Sequence, residues 1–229
     1  MELRLPQTKL LIAGIALLVG LSGVAGLVWI VKASHGASAI TPDQKIVEAD
    51  GTSYCGPRTL ANLQHAYESE LSDSDVYIGY AEQAEQEGFK SAASLFRALG
   101  SSELIHALHH RSVINACDGE LPPHHTLTAG GRSTKENLRL ALMSEVQQQY
   151  ERDPALIQVA RIEHSNAALR SFQLAQFAER THLDFLGQLL VESQETSSSQ
   201  TYRVCTVSGY ISLQPEPANC VGGEYGTID

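Results

Sequence analysis

Apolar positions follow three different rhythms along the chain. From Leu10 to Val31 they form one run of 22 residues without a charge, rich in Leu, Ile, Val, Ala and Gly. As a helix such a run crosses about 30 Å of hydrocarbon, so residues 1–32 are read as an uncleaved signal anchor, a transmembrane helix. A cleaved secretory signal has an apolar region of only about 7–15 residues. Ala37-Ser38-Ala39 nevertheless has the small-x-small form of a cleavage site, which keeps removal open as the alternative. Arg4 and Lys9 precede the run and Lys32 follows it. This slight imbalance favours a short cytoplasmic N-terminus and a membrane-anchored, extracytoplasmic remainder. Residues 33–55 hold Ser, Gly, Pro and Asp in the manner of a linker.

The second rhythm is helical. Pro57 suits a first helical turn, and from Arg58 to Glu85 apolar residues recur at Leu60, Leu63, Tyr67, Leu71, Val76, Ile78 and Ala81. Gly88 breaks the run. A second helix, about Phe89 to Ala116, carries Ala92, Leu95, Phe96, Leu99, Leu104 and Leu108. Residues 117–133, with Gly119, Pro122, Pro123, Gly130 and Gly131, are too rich in breakers for a helix and predict a crossover. Ser133 or Thr134 then caps a third helix with Glu136 in its first turn, running to about Arg152. Pro154 fits a kink or short break, and a fourth helix continues to about Val191 through Ile157, Leu169, Phe172, Phe177, Phe185 and Leu189. The expected fold class is all-α: residues 56–192 form a four-helix bundle of two antiparallel pairs joined by a crossover. In the third rhythm, polar residues 193–200 give a linker. Tyr202, Val204, Val207, Tyr210 and Ile211 then alternate with turn residues in a small β-type tail over 201–229.

Charge and cysteine content narrow the function. A net charge of −10 with only 16 basic residues argues against nucleic-acid binding by phosphate neutralisation. Four cysteines fit two disulfides in an oxidising compartment, in keeping with export, although four free thiols give the same count.

The candidate chemistry lies in a repeated spacing. Glu103-Leu104-Ile105-His106 and Glu179-Arg180-Thr181-His182 place Glu-x-x-His twice, 76 residues apart, and residues three apart share a helix face. Two such pairs, each joined by one more glutamate from another helix, hold two metal ions inside a four-helix bundle. Glu70 lies 33 residues before the first pair and Glu145 lies 34 before the second. In this reading Glu103 and Glu179 bridge, Glu70 and Glu145 are terminal ligands, and His106 and His182 give each metal one nitrogen. Such donors suit iron or manganese, and four buried carboxylates without metal would be very costly. The competing reading is four helices with scattered surface charge. Tyr77, two turns after Glu70 on the same face, either hydrogen-bonds a ligating carboxylate or packs in the core. His65, His109, His110, His124, His125 and His164 have no comparable arrangement and are read as surface or loop residues.

Several of these strings fall in the order of a known family. Arg58-Thr59, Asn62-Leu63, Tyr77, Glu87-Gly88-Phe89, Phe96, Glu103-Leu104-Ile105-His106-Ala107 and Ala178-Glu179-Arg180-Thr181-His182 make residues 58–192 resemble the di-iron domain of the rubrerythrin family, a ferritin-like four-helix bundle. The resemblance implies a centre of two iron ions and peroxide reduction by two-electron oxidation of its di-ferrous form. It maps the family's ligands onto Glu70, Glu103, His106, Glu145, Glu179 and His182. One position departs. The family's additional glutamate, three residues after the third-helix ligand, is here Gln148, which implies a more symmetric site with His106 bound throughout.

The tail departs as well. It resembles the family's rubredoxin-like iron module, but the second and fourth cysteines of that module are Ser208 and Gly223, so no rubredoxin-type iron is expected. By the same resemblance Cys205 and Cys220 would form a disulfide in place of the iron. Cys55 and Cys117, at one end of the first helical hairpin, would form another. A tail without iron implies an external electron donor. The expectation is therefore a membrane-anchored, extracytoplasmic di-iron oxidoreductase acting on peroxide or dioxygen, with a homodimer admitted. The alternatives are a non-catalytic ferritin-like iron-binding protein and, third, a bundle used only for interaction.

Overall fold

A computed structural model describes residues 54–127, 131–192, 199–214 and 219–229. The predicted anchor, nearly all of the linker after it and most of the 193–200 linker lie outside the described residues. Among the described residues no helix is long and apolar enough to cross a membrane.

The first helix, α1 (Pro57–Gln86), starts on a proline that has no N–H to lose. Gly88, at φ 83°, ends the turn after it, and α2 (Lys90–Ala116) runs back alongside. The third helix, α3 (Thr134–Gln147), begins with a capping box: Ser133 Oγ accepts from the Glu136 amide at 3.4 Å, and Glu136 Oε2 accepts from the Ser133 amide at 3.0 Å.

The segment beyond α3 corrects the expected boundary. The chain does not reverse near Pro154. It passes through a π-turn over Gln148–Arg152 into α4 (Asp153–Ile162) and reverses only at 163–165, before α5 (Asn166–Glu192). Buried positions Glu145, Gln149, Asp153 and Ile157 are four apart, a spacing that drifts about 40° per step around a regular α-helix. The wider π-turn absorbs that drift and carries the chain past a proline that cannot donate to the carbonyl four residues back. The reversal sits at Glu163 because that carboxylate caps α1, accepting from the Thr59 amide at 2.8 Å and from Arg58 Nε at 3.0 Å. Four bundle helices result, the third of them built from α3, the π-turn and α4.

Apolar residues collect at the two ends of the bundle. One cluster joins Leu63, Val113, Ile114, Ile157, Ala168 and Phe172. The other joins Tyr77, Tyr80, Phe96, Leu99, Leu138 and Leu186, and includes Tyr202, Val204, Ile211 and Ile228 of the tail. The tail is a three-stranded antiparallel sheet of order β2-β1-β3, with β1 (Tyr202–Cys205) between β2 (Ile211–Ser212) and β3 (Tyr225–Ile228). Three residues assigned by periodicity to the core are instead part-exposed: Ile78, Leu104 and Phe177. Phe177 stacks on Tyr210 of the tail, with ring centroids 5.2 Å apart.

Both expected disulfides are present, Cys55–Cys117 and Cys205–Cys220, with Cα separations of 5.8 and 5.4 Å. They close loops of 62 and 15 residues. Loop-closure entropy then predicts that replacing Cys55 and Cys117 by serine costs about 4 kcal/mol and replacing Cys205 and Cys220 about 3 kcal/mol. Urea unfolding of the two double variants against wild type measures both, and an unchanged midpoint in either would contradict the assignment.

Candidate metal centre

Between the two apolar ends lies a buried polar layer. All six predicted ligands are in it: Glu70 from α1, Glu103 and His106 from α2, Glu145 from α3, Glu179 and His182 from α5. Two triads have ligand atoms within 4.8 Å of one another, Glu70 with Glu103 and His106, and Glu103 with Glu145 and His182. Glu103 is common to both. Glu179, expected to bridge with Glu103, is in neither; its Oε1 lies 3.4 Å from Arg152 Nη2.

The two histidines are held alike from behind. The Ser208 carbonyl can only accept, so His106 Nε2 donates to it at 3.1 Å and Nδ1 turns to Glu103 Oε2 at 2.9 Å. Ser102 Oγ donates to the Gly209 carbonyl at 2.8 Å, which leaves it to accept from His182 Nε2, also at 2.8 Å. His182 Nδ1 lies 3.1 Å from both Glu103 Oε1 and Glu145 Oε2. Gly209, at φ 75°, makes this approach possible, because a Cβ there would sit 2.5 Å from Ser102 Oγ and 2.6 Å from His106 Nε2. Tyr77 donates to Glu145 Oε1 at 2.6 Å and also packs in the apolar cluster, so both of its expected roles are occupied by one side chain.

Burial drives the electrostatics, and neighbours decide its sign. Burial raises Glu70, with Arg152 only partly opposing, and raises Glu103 with help from Glu145. Glu179 is raised by burial and by its hydrogen bond with Asp153. Burial likewise favours a protonated Glu145, but His182 and the Tyr77 hydroxyl reverse the shift and hold it below the usual carboxylate range. Burial would push His182 down, yet Glu145 and Glu103 carry it up to about 10. His106 is lowered by burial, which the nearby Glu70 only partly opposes.

Sequence reasoning missed Arg152 and Asp73 beside the six. Arg152 donates through Nη2 to Glu70 Oε1 at 2.6 Å and Gln148 Oε1 at 2.8 Å, through Nε to Asp153 Oδ1 at 3.0 Å, and through Nη1 to Ser69 Oγ at 3.2 Å. Gln148 in turn donates to Asp73 Oδ2 at 2.9 Å. Burial and the nearby Glu70 raise Asp73 to about 7. Arg152 is two turns after Glu145, a spacing that could have signalled it; Ser102 and Ser208 gave no sequence signal. His109 and His110 correct the surface assignment. Both are buried; His110 bonds to Ser171 Oγ at 2.8 Å and packs on Phe172. His124 keeps a loop position, 2.9 Å from Asp75.

These residues fit a pair of divalent cations. Glu70 Oε2 and Glu179 Oε2 are buried and receive no hydrogen bond from a neighbouring N–H or hydroxyl group, and Glu103 Oε1 has only the His182 Nδ1 that it shares with Glu145. Only a shared proton or a cation satisfies such oxygens. The carboxylate and imidazole donors, without thiolate, suit iron or manganese.

The protons that stand in for metal set a pH dependence. His182 has its folded pKa raised from 6.5 to about 10, so its stabilisation is complete below the lower value and lost as pH rises through the upper one. Glu70, Glu103 and Glu179 are raised too, so their contributions also fade with rising pH. Glu145, being lowered, contributes only to acid sensitivity. Metal-stripped protein is therefore expected to lose about 5 °C or more in Tm between roughly pH 6.5 and 10, and metal-loaded protein much less. Calorimetry across that range checks this, and a Tm that rises for the stripped form would contradict it.

Comparison with known proteins agrees with the layout. The rubrerythrin family model matches residues 61–190. The chain is 25% identical to rubrerythrin-2 of Clostridium acetobutylicum over 160 residues, 69% of this chain and 87% of that protein. It is 28% identical to nigerythrin of Nitratidesulfovibrio vulgaris over 156 residues, 67% of this chain and 75% of that protein. The solved mixed-valence state of nigerythrin superposes with a TM-score of 0.66 at 22% identity, covering 82% of this chain and 94% of that one. Bacterioferritin of Mycobacterium tuberculosis gives 0.55 at 22% identity over 60% of this chain and 87% of its own, which shows the ferritin-like bundle. The matched region spans more than half of the sequence and contains all six residues of the buried layer: the chain belongs to the rubrerythrin family.

Proposed function

We propose that this protein is a di-iron oxidoreductase that reduces peroxide or dioxygen with electrons from an external donor, anchored in a membrane by residues 10–31 and working outside the cytoplasm. The observation that carries the reading is the pair of triads sharing Glu103, in a chain of the rubrerythrin family. Nigerythrin has been solved in all-ferrous and mixed-valence states, so the iron of that relative changes oxidation state. Two disulfides support export.

Glu70, Glu103 and His106 would hold one iron, and Glu103, Glu145 and His182 the other, with Glu179 alongside. A ferrous pair held there would supply the two electrons that reduction of hydrogen peroxide to two waters requires, with two protons taken up alongside. Ser208 and Ser102 fix the rings of His106 and His182 with Nδ1 facing the carboxylates. Tyr77 restrains Glu145. The apolar clusters on either side keep bulk water from the layer.

Two observations favour a slower, iron-holding protein as the second reading. Gln148 stands where the family places an exchanging carboxylate and is engaged by Arg152 and Asp73. The tail carries a disulfide between two of the four positions that hold iron in the module it resembles.

Full-length protein in detergent, loaded anaerobically with ferrous iron, is expected to bind about two ions per chain. Stopped-flow mixing with one equivalent of peroxide should then oxidise both within a second. Slow oxidation with tight retention would select the second reading. The double variant His106→Ala, His182→Ala should hold less than about a tenth of the iron, and equal loading of variant and wild type would remove the site. Retention of the full chain in membranes washed with alkaline carbonate tests the anchor.

A further inference from the structure

Arg152 carries a guanidinium hydrogen-bonded to carboxylates of the buried layer, and neither triad includes it. It reaches the layer from the π-turn, with about a fifth of its side chain exposed. Its contacts are unevenly distributed. Nη2 stands between Glu70 Oε1 at 2.6 Å and Glu179 Oε1 at 3.4 Å. No contact joins it to Glu145, and the charge partners of His182 are Glu103 and Glu145 instead. Asp153 offsets part of its charge, but at the Nε edge rather than at the Nη2 that faces Glu70. A guanidinium does not deprotonate in a protein, so its charge stays beside Glu70 at every working pH.

This placement acts against a metal ion at one position more than at the other. A cation bound by Glu70, Glu103 and His106 shares Glu70 with Arg152, and like charges at such range repel strongly in a buried site. Glu70 also has one oxygen committed to the guanidinium, which leaves Oε2 for a metal. At the other position the corresponding helper is Tyr77, a neutral donor to Glu145.

We propose that Arg152 is a resident cation that selectively weakens metal binding at the Glu70–Glu103–His106 position. One ion is then firmly held by Glu103, Glu145 and His182, while the other exchanges with the surroundings. The inference rests on the two-metal reading above, and its test separates the two.

The probe is Mn(II) alone, titrated into metal-free full-length protein at fixed pH, with affinity read by calorimetry and ion coupling by electron paramagnetic resonance. In the His182→Ala background, which leaves the Arg152-flanked position, adding Arg152→Gln should tighten Mn(II) binding by about tenfold or more. In the His106→Ala background the same change should shift affinity less than about threefold. In the otherwise wild-type chain, Arg152→Gln should tighten the weaker of two binding steps, so that the coupled two-ion signal appears at lower Mn(II). Arg152→Lys, which keeps the charge, should leave that step weak. Circular dichroism melts confirm that each variant folds, and if Arg152→Gln does not fold, Arg152→Met serves in its place. Equal effects in both histidine backgrounds, or no effect in either, would overturn the proposal while leaving two-metal binding intact. Failure of the wild-type chain to bind Mn(II) or Fe(II) at all would overturn both.

Discussion

Everything in this bundle is arranged around ionisable groups that have been taken out of water. Glu70, Glu103, Glu145, Glu179, His106 and His182 are all buried in one layer, and each isolated charge there would cost several kcal/mol. Helix geometry can bring such groups together, but it cannot make their company favourable. The surrounding contacts do that. Tyr77 and His182 meet Glu145, Arg152 meets Glu70 and Glu179, and burial still raises Glu70, Glu103 and Glu179 toward their protonated forms. The apolar clusters at the two ends of the bundle then keep the layer dry, which strengthens each of these interactions and raises the cost of losing any one.

The C-terminal sheet is part of that solution. Its β-strands bury Tyr202, Val204 and Ile211 against the helices, and the Ser208–Gly209 carbonyls fasten both histidines from outside the bundle, one directly and one through Ser102. The contact has no room for a side chain at position 209. A disulfide between Cys205 and Cys220 holds the loop that presents these carbonyls. The tail thereby orients the imidazoles, a mechanical role that needs no metal of its own.

Much of this was legible in the sequence because it obeys short-range rules. Helical periodicity located the bundle helices, the Ser133–Glu136 capping box marked a start, and Glu-x-x-His repeated at matched distances placed six groups on inward faces. The periodicity failed where the surroundings outrank it. Leu104 and Ile78 repeat at core spacing yet sit part-exposed, and His109 and His110 lack a motif yet are buried, since what faces a residue belongs to another segment. Pro154 pointed to a break that the π-turn absorbs, and the reversal falls ten residues later, where Glu163 can cap a helix more than 100 residues away in sequence.

The sequence by itself thus determined the helices, the inward placement of four glutamates and two histidines, and a small β-type tail after them. Tertiary structure alone decided that Glu103 joins both triads, that Glu179 turns toward Arg152, and that a carbonyl of the tail holds His106. The physical reason is range. Propensity, capping and face periodicity act within a few residues of chain, whereas the charge state of a buried group depends on partners tens of residues distant that meet it only when the bundle closes.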